Sequence, residues 1–417
     1  MNCARHKVFK GGCTKLFVLV GLISMFLATS YSTAYAGAAP GIKVVGNQFV
    51  TTTAGTLGLK TVSANEAVVL RGINISGPEY ECLTDVVWDS SNLPASTSDY
   101  QAVVNGMIND WHANVVRIPL NEDCWLGVPS NTPPPASGYT NYILPIMNFI
   151  SVANASGMVV EVDLHVGGGP ELVKKNSNNV DSFPAMDTNY SLEFWQSVAS
   201  YFKSNPSVIF NLTNEPQFLG SGSTAAADWT CYLNGGCNTT ACQNNGCKGP
   251  NGSANTWNVQ GVASVVTAIR AVPATNVIII AGLDYSNQLD DWLTYVPEYI
   301  SDNQIAAGIH LYYDLDCTTA SCWNSTWTPI LTAGRPIVLD ETGELPKNQG
   351  GDACTGSETN SMVSWADGSS PQVGYWFWAF TKAGGCSEPV LLKTNASPFT
   401  AASGYGAAAF SALTTIQ

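Results

Sequence analysis

The chain has 417 residues, with 17 basic and 31 acidic side chains and a formal net charge of −14. So acidic a balance argues against nucleic acid and anionic membrane as partners and suits a soluble protein that acts on a neutral molecule. Charged residues make up only 12% of the chain, so its surface relies on neutral polar groups rather than on ion pairs.

Arg5, Lys7, Lys10 and Lys15 give the N-terminus a positive start, and Leu16 to Thr29 is an apolar run too short to span a bilayer comfortably. Ala34-Tyr35-Ala36 is a small-x-small cleavage pattern. Residues 1–36 are therefore expected to be a secretory signal, cleaved near Ala36, with an uncleaved anchor as the alternative. Loss of those four basic residues takes the formal charge from −14 to −18. Residues 37–417 read as one domain, expected to be secreted to the extracellular space or periplasm and to act as a monomer. No later stretch is apolar enough for a transmembrane helix, so no membrane partner is expected after cleavage.

Removing Cys3 and Cys13 from the 12 cysteines leaves ten, an even number in an exported chain, which reads as disulfides. Cys231, Cys237, Cys242 and Cys247 cluster in a Gly/Asn-rich stretch. A zinc knuckle is the alternative there, but no CxxC pair or nearby His supports it, and no metal is expected. Cys317 and Cys322 are close enough to pair, and Cys82 with Cys124 and Cys354 with Cys386 are plausible staples between loops.

In chain order, Gly41 to Lys60 alternates in short polar and apolar steps, which predicts a small hairpin. A regular rhythm follows. Strands are expected at Ala67–Gly77, Val115–Leu120, Met158–His165 and Val208–Thr213, then at Asn276–Gly282, Ile305–Tyr312, Pro336–Asp340 and Val373–Phe380. Helical periodicity falls at Ser98–Asn114, Tyr142–Ala155, Asn189–Lys203, Trp257–Ala271 and Ala401–Thr414, with weaker signals near Asp290–Ile300 and Trp327–Ala333. Gln217–Asn255 reads as a long Cys-rich and Gly-rich loop after the fourth strand. Eight apolar strands alternating with helices predict an α/β fold of the (β/α)8 barrel class. The rival is a doubly wound sheet, which normally needs a Gly-rich phosphate loop after an early strand. Here Gly167-Gly168-Gly169 runs into Pro170 without that spacing.

Polar residues recur at the ends of these strands. They are Arg117, Asp163 and His165, Asn214 and Glu215, His310 and Tyr312, Asp340 and Glu341, and Trp376 and Trp378. In a parallel barrel such groups converge at one rim. Singly, each has a structural explanation, as a satisfied core histidine, an internal ion pair or plain core packing. Two glutamates on opposite sides of a barrel, with no metal cluster or nucleotide loop, suit glycosidic bond cleavage. One carboxyl must hold a proton for the leaving oxygen, while the other must be ionised to attack the anomeric carbon. An arginine and a tyrosine beside one glutamate would orient it. A histidine could tune the other, and an asparagine beside the acid could hydrogen-bond the sugar 2-hydroxyl. No cofactor is implied.

The ordered set Leu70-Arg-Gly-Ile-Asn74, Val116-Arg117-Ile-Pro119, Asp163-Leu-His165, Asn214-Glu215-Pro216, His310-Leu-Tyr312, Glu341-Thr-Gly343 and Tyr375-Trp-Phe-Trp378 resembles glycoside hydrolase family 5. The resemblance implies a retaining barrel enzyme with Glu215 as acid/base and Glu341 as nucleophile. It implies Arg117 and Tyr312 as the residues orienting Glu341. It also implies His165, Asn214 and His310 lining the cleavage subsite, with Trp378 as its aromatic floor. Asp340 and Glu344 are competing carboxylates, but Glu341 directly ends its strand. His112, at the far end of its strand, is expected to be structural.

The implied partner is a β-linked polysaccharide, with internal β-1,4-glucan cleavage the first expectation. β-Mannanase, β-1,3-glucanase, xyloglucanase, glycolipid-cleaving and transglycosylase activities are alternatives, as is a non-catalytic glycan-binding barrel. Trp125, Trp229, Trp257, Trp292, Trp323 and Trp327 fall in or near rim segments, where each could form a sugar subsite or pack beneath a loop. The stretch Trp229–Lys248 is expected to wall one side of the cleft.

Overall fold

The computed structural model describes residues 39–79, 97–127, 140–167, 185–218, 225–240, 256–347, 350–351, 353–382, 386 and 389–415. The expected signal segment and Cys82 lie outside these residues, as do Cys242 and Cys247.

Two hairpins come first, β1 (Ile42–Val45) with β2 (Gln48–Thr51) and β3 (Gly55–Leu57) with β4 (Lys60–Val62). β5 (Ala67–Val68) then adds to β2. The barrel begins with β6 (Arg71–Asn74), β7 (Val115–Asn121), β8 (Val159–Val166) and β9 (Val208–Asn211). An antiparallel excursion, β10 (Asn238–Thr240) with β11 (Thr256–Asn258), interrupts it. β12 (Ile278–Ala281), β13 (Ile305–Leu311), β14 (Ile337–Thr342) and β15 (Gly374–Phe377) complete it, and β15 pairs back to β6. All eight pairings are parallel and the barrel is closed, as the (β/α)8 reading requires.

The strands are buried on both faces, which is why β12 reads Ile-Ile-Ile-Ala without alternation. Helix Ser191–Phe202 shows how the outer layer attaches. Phe194, Trp195, Val198, Ala199 and Phe202 form its buried stripe at helical spacing. The Trp195 indole N–H donates to Leu212 O at 3.1 Å, tying the helix to the chain just past β9. A second cluster closes the floor of the barrel. Val115, Val159, Ile209, Ile279 and Val338 from the strands meet Ile42, Val44 and Phe49 from the first hairpin. Trp376, expected at the catalytic rim, is fully buried in that floor cluster instead. Trp378, just past the end of β15, is the one of the pair that is partly exposed.

Other expectations shift. The first expected strand breaks into β5 and β6, which belong to different sheets. The loop expected after β9 contains helix Ala225–Asn234, whose Trp229, Tyr232 and Leu233 are buried. Trp257 is strand, paired with Thr239, and the helix expected from there starts at Val262, after Gly261. Helix Ser357–Gly368 went unread because only Thr359, Met362 and Ala366 of its mostly polar sequence are buried. Cys317–Cys322 and Cys354–Cys386 are paired, as is Cys231–Cys237 within the clustered cysteines. Cys124 is also disulfide-bonded. Among the described residues no helix is long and apolar enough to cross a membrane.

One irregularity positions the site. Along β14, Gly308↔Val338 is followed by His310↔Glu341, and Leu339↔Tyr375 by Thr342↔Phe377. β14 therefore carries one extra residue against both neighbours, a bulge that re-aims side chains. Successive strand residues normally face opposite sides, yet Asp340 and Glu341 both reach the barrel interior. Gly308 makes room for this. A Cβ there would lie 2.6 Å from Ile279 Cγ2 and 2.8 Å from Asp340 Oδ2. Gly308→Ala should cost about 1–3 kcal/mol through overpacking, read as a lower denaturation midpoint at unchanged m-value.

Candidate active site

β8 raises a column of polar side chains through an otherwise apolar strand. Glu161, Asp163 and His165 sit two residues apart, so all three face the interior. Arg117 on β7 pairs in register with Glu161 and lies fully buried among them. Its five N–H groups each find an acceptor. Nε donates to Glu161 Oε1 at 3.0 Å. Nη1 donates to Asn74 Oδ1 at 2.9 Å and Glu341 Oε2 at 2.7 Å. Nη2 donates to Asn214 Oδ1 at 2.7 Å and pairs with Asp163 Oδ2 at 3.0 Å.

The two glutamates sit in different environments. Glu341 accepts from Arg117 at Oε2 and from the Tyr312 hydroxyl at Oε1, 2.8 Å away. Glu215 follows β9 and has His310 Nδ1 3.0 Å from its Oε1. Burial pushes the Glu215 carboxyl up to about 7, against the opposing positive charges of His165 and Arg117. Burial also pushes His310 down to about 3, so the ring is neutral. Between about pH 3 and 7 Glu215 and His310 thus meet as two uncharged groups, not as an ion pair. One ligand atom from each of Glu215, His310 and Glu341 lies within 4.8 Å of the other two. The strands that bring the glutamates together are not diametrically opposed, since β12 and β13 lie between β9 and β14.

His165 closes one side. Its Nδ1 lies 3.1 Å from Asp163 Oδ2, and Asn214 Nδ2 lies 3.5 Å from its Nε2. Burial alone would lower its pKa, but Asp163 and Glu79 outweigh burial and raise it. The Trp378 ring lies nearly parallel to His165, with centroids 5.4 Å apart and planes 13° apart. All eight side chains expected at the site from sequence, Arg117, His165, Asn214, Glu215, His310, Tyr312, Glu341 and Trp378, therefore gather in one cluster at the C-terminal mouth of the barrel.

Residues 75–384 match the family model for cellulase, glycosyl hydrolase family 5. The chain belongs to that family. No curated protein sequence matches it. Among solved structures it is similar to a β-glucanase of Saccharophagus degradans, with 18% identity, a TM-score of 0.59, and coverage of 90% of this chain and 93% of that one. It is also similar to the catalytic domain of a Thermobifida fusca endoglucanase in complex with cellotetraose, at 15% identity, TM-score 0.53, and 89% and 97% coverage. A mannanase catalytic domain from Streptomyces sp. SirexAA-E scores alike, at 15% identity, TM-score 0.53, and 89% and 90% coverage.

The structure separates the competing carboxylates of this family 5 chain. Glu344 is fully buried and accepts from the N–H groups of Gly356 at 2.7 Å and Thr359 at 2.8 Å, capping helix Ser357–Gly368. Asp340 lies beneath Glu341, accepting from Ile309 N–H at 2.9 Å and from Asn211 Nδ2. Asn211 also donates to Glu161 Oε1 at 3.1 Å, so one amide bridges two buried acids. Burial raises both acids, Asp340 to about 7. Of this deeper layer the sequence reading names Asp340, as a rim residue and competing carboxylate, but not Glu161 or Asn211, and it gives Asn74 no role in the site. Its signal was there in the polar positions spaced by two inside apolar strands. The tryptophans behave differently. Trp125, Trp229, Trp292, Trp323 and Trp327 are at most 3% exposed and so pack beneath loops, not against sugar. The Trp257 side chain and most of the Cys-rich stretch lie outside the described residues.

Two outcomes follow from these environments. Arg117→Lys keeps the charge but offers three N–H donors where five acceptors wait; stability should fall by about 3–5 kcal/mol, measured by chemical denaturation. Glu215, Asp340 and Asp123 are raised by burial to about 7, 7 and 8. Groups raised in the folded state favour folding below the unfolded carboxylate range, and that advantage is lost as pH rises through the folded value. The thermal midpoint should therefore be higher at pH 5 than at pH 8, the reverse of a protein whose carboxylates are ion-paired.

Proposed function

We propose that the protein is a secreted retaining glycosidase that cleaves internal β-1,4-glucosidic bonds of cellulose-like or mixed-linkage glucans. The observation that carries this reading is the carboxyl pair of Glu215 and Glu341, within 4.8 Å at their ligand atoms and in opposite electrostatic settings. A separation that short fits direct attack by one carboxylate, since inverting enzymes hold the pair farther apart to admit a water. A divalent cation is the competing use of these side chains. Both Glu341 oxygens already accept hydrogen bonds, however, and the Arg117 guanidinium supplies positive charge at that spot.

In the first step a Glu341 oxygen bonds to the anomeric carbon and the glycosidic C–O bond breaks. The leaving oxygen takes the proton that Glu215 holds at mildly acidic pH. Arg117 and Tyr312 hold and aim Glu341 through hydrogen bonds to its two carboxyl oxygens. A water then attacks the same carbon, gives its proton to the now ionised Glu215, and releases Glu341. Asn214, fixed by Arg117, faces the sugar 2-hydroxyl, and Trp378 offers the face on which the donor ring stacks. The matching cellulase family model supports β-1,4-glucan as substrate. Disulfides across described loops support export to an oxidising compartment.

The test is hydrolysis of carboxymethyl-cellulose, mixed-linkage glucan, galactomannan and laminarin by the enzyme and two variants. Fast viscosity loss on the first two substrates is expected, and Glu341→Gln should abolish it. Glu215→Ala should lose about 10²–10⁴-fold on polysaccharide but far less on an aryl glycoside, whose leaving group needs no proton. Activity confined to galactomannan would replace the substrate and keep the mechanism. Full activity in Glu341→Gln would overturn the assignment of the nucleophile.

A further inference from the structure

Helix Ser357–Gly368 is polar along most of its length, yet it carries one tryptophan, Trp365, that is only partly buried. Its ring sits across the buried pair Trp323 and Trp327, with centroids 5.5 and 5.6 Å from theirs and planes tilted by 61° and 71°. Those two rings stack on each other with centroids 5.7 Å apart. The Trp365 indole N–H donates to Asn324 Oδ1 at 2.9 Å, which fixes the ring's orientation. Trp365 is thus the outermost of three packed rings, held by the two beneath it and turned partly to solvent.

The ring lines a groove of about 260 Å³ between helix Thr328–Thr332 and helix Ser357–Gly368. Through the shared residue Leu331 the groove abuts a second cavity of about 160 Å³. Phe49 and Leu70, members of the floor cluster, line that second cavity, so the pair lies toward the end of the barrel opposite the glutamates. Among the described residues no charged side chain lines either cavity, in a chain whose formal net charge is −14. Hydroxyls and amides line them instead. Thr332 Oγ1 donates to Thr328 O at 3.1 Å, and Ser369 Oγ donates to Trp365 O at 2.8 Å. Each hydroxyl directs its proton to a helix carbonyl and keeps its lone pairs as acceptors. Asn324 Oδ1 is taken by Trp365, and the Asn324 amide nitrogen supplies two donors. Across Leu331, Asn47 Nδ2 donates to Leu331 O at 3.0 Å, and its carbonyl is a further acceptor.

A ligand for this surface carries no charge, offers closely spaced hydroxyls, and has a flat apolar face to lay against an indole. A pyranose unit of a neutral glycan meets all three conditions. An anion or a cation would find no counter-charge. We propose that the Trp365 groove is a second glycan-binding site, which holds a remote stretch of the same β-linked polysaccharide that the mouth cleaves. The inference rests on the glycosidase reading above for the identity of its ligand. A polymer can engage mouth and groove together, which raises its effective concentration at the mouth. A disaccharide derivative engages only one of them.

The experiment measures adsorption of the full chain to swollen cellulose. Glu341→Gln, which leaves the polymer uncut, is compared with Glu341→Gln combined with Trp365→Ala or with Thr332→Lys. The partition coefficient should fall about 10-fold in each combination. In the otherwise unaltered enzyme, Trp365→Ala and Thr332→Lys should leave kcat/KM on an aryl β-cellobioside within about 2-fold. Unchanged adsorption in both variants overturns the site. An equal loss on the aryl glycoside overturns it as well and leaves Trp365 as packing for the barrel. If Trp365→Ala fails to fold, Thr332→Lys decides alone, because Thr332 is exposed and its replacement leaves the three rings in place. A dimer that becomes a monomer in Thr332→Lys gives the groove to a second copy of this chain and also overturns the proposal. If the unaltered enzyme prefers mannan, insoluble mannan replaces cellulose. Inactivity of the unaltered enzyme on every glycan takes down the glycosidase reading, and the adsorption comparison still decides the groove.

Discussion

The Arg117 guanidinium is the constraint around which the barrel interior is arranged. It is fully buried, and it connects β6, β8, β14 and the chain after β9 through one planar fork. Its burial is tolerable only because each N–H is met and because acidic groups surround it. That surround creates a second problem. Glu161, Asp163, Asp340 and Glu341 all lie around one cation. Burial resolves the excess by favouring the protonated forms of the two deepest acids, Glu161 and Asp340, which share the Asn211 amide. The guanidinium's charge is then left to the carboxylates nearer the mouth.

The bulge on β14 makes this layering possible. Without the extra residue, Asp340 and Glu341 would face opposite sides of the sheet. With it, both turn inward, Asp340 to the buried layer and Glu341 to the mouth. Gly308 yields the space that the Asp340 carboxylate fills. A local irregularity in hydrogen-bond register thus becomes a difference in chemical environment between neighbouring acids. The same contrast recurs between Glu215 and Glu341, one beside a neutral histidine and the other clamped by a cation and a phenol. Two identical side chains become suited to different roles only through such surroundings.

The barrel and the rim answer to different demands. Inner residues hold one another in a closed hydrogen-bond network centred on Arg117. Rim segments such as the one after β12 and the excursion β10–β11 are loops carried on that scaffold.

The sequence by itself determined the barrel, because each strand is buried on both faces and reads as an unbroken apolar run. It also determined the membership of the mouth, because polar residues at strand ends stand out against such runs and converge in any parallel barrel. Tertiary structure alone decided three things. It separated Glu341 from Asp340 and Glu344, since side-chain direction depends on a bulge defined by pairing with distant strands. It placed Trp376 in the barrel floor and Trp378 at the mouth, although both lie on one short aromatic run. It buried the tryptophans that could have been sugar platforms, since a ring's exposure depends on which loop covers it. Strand periodicity is a local property and is written in neighbouring residues; a side chain's partner across the barrel is not.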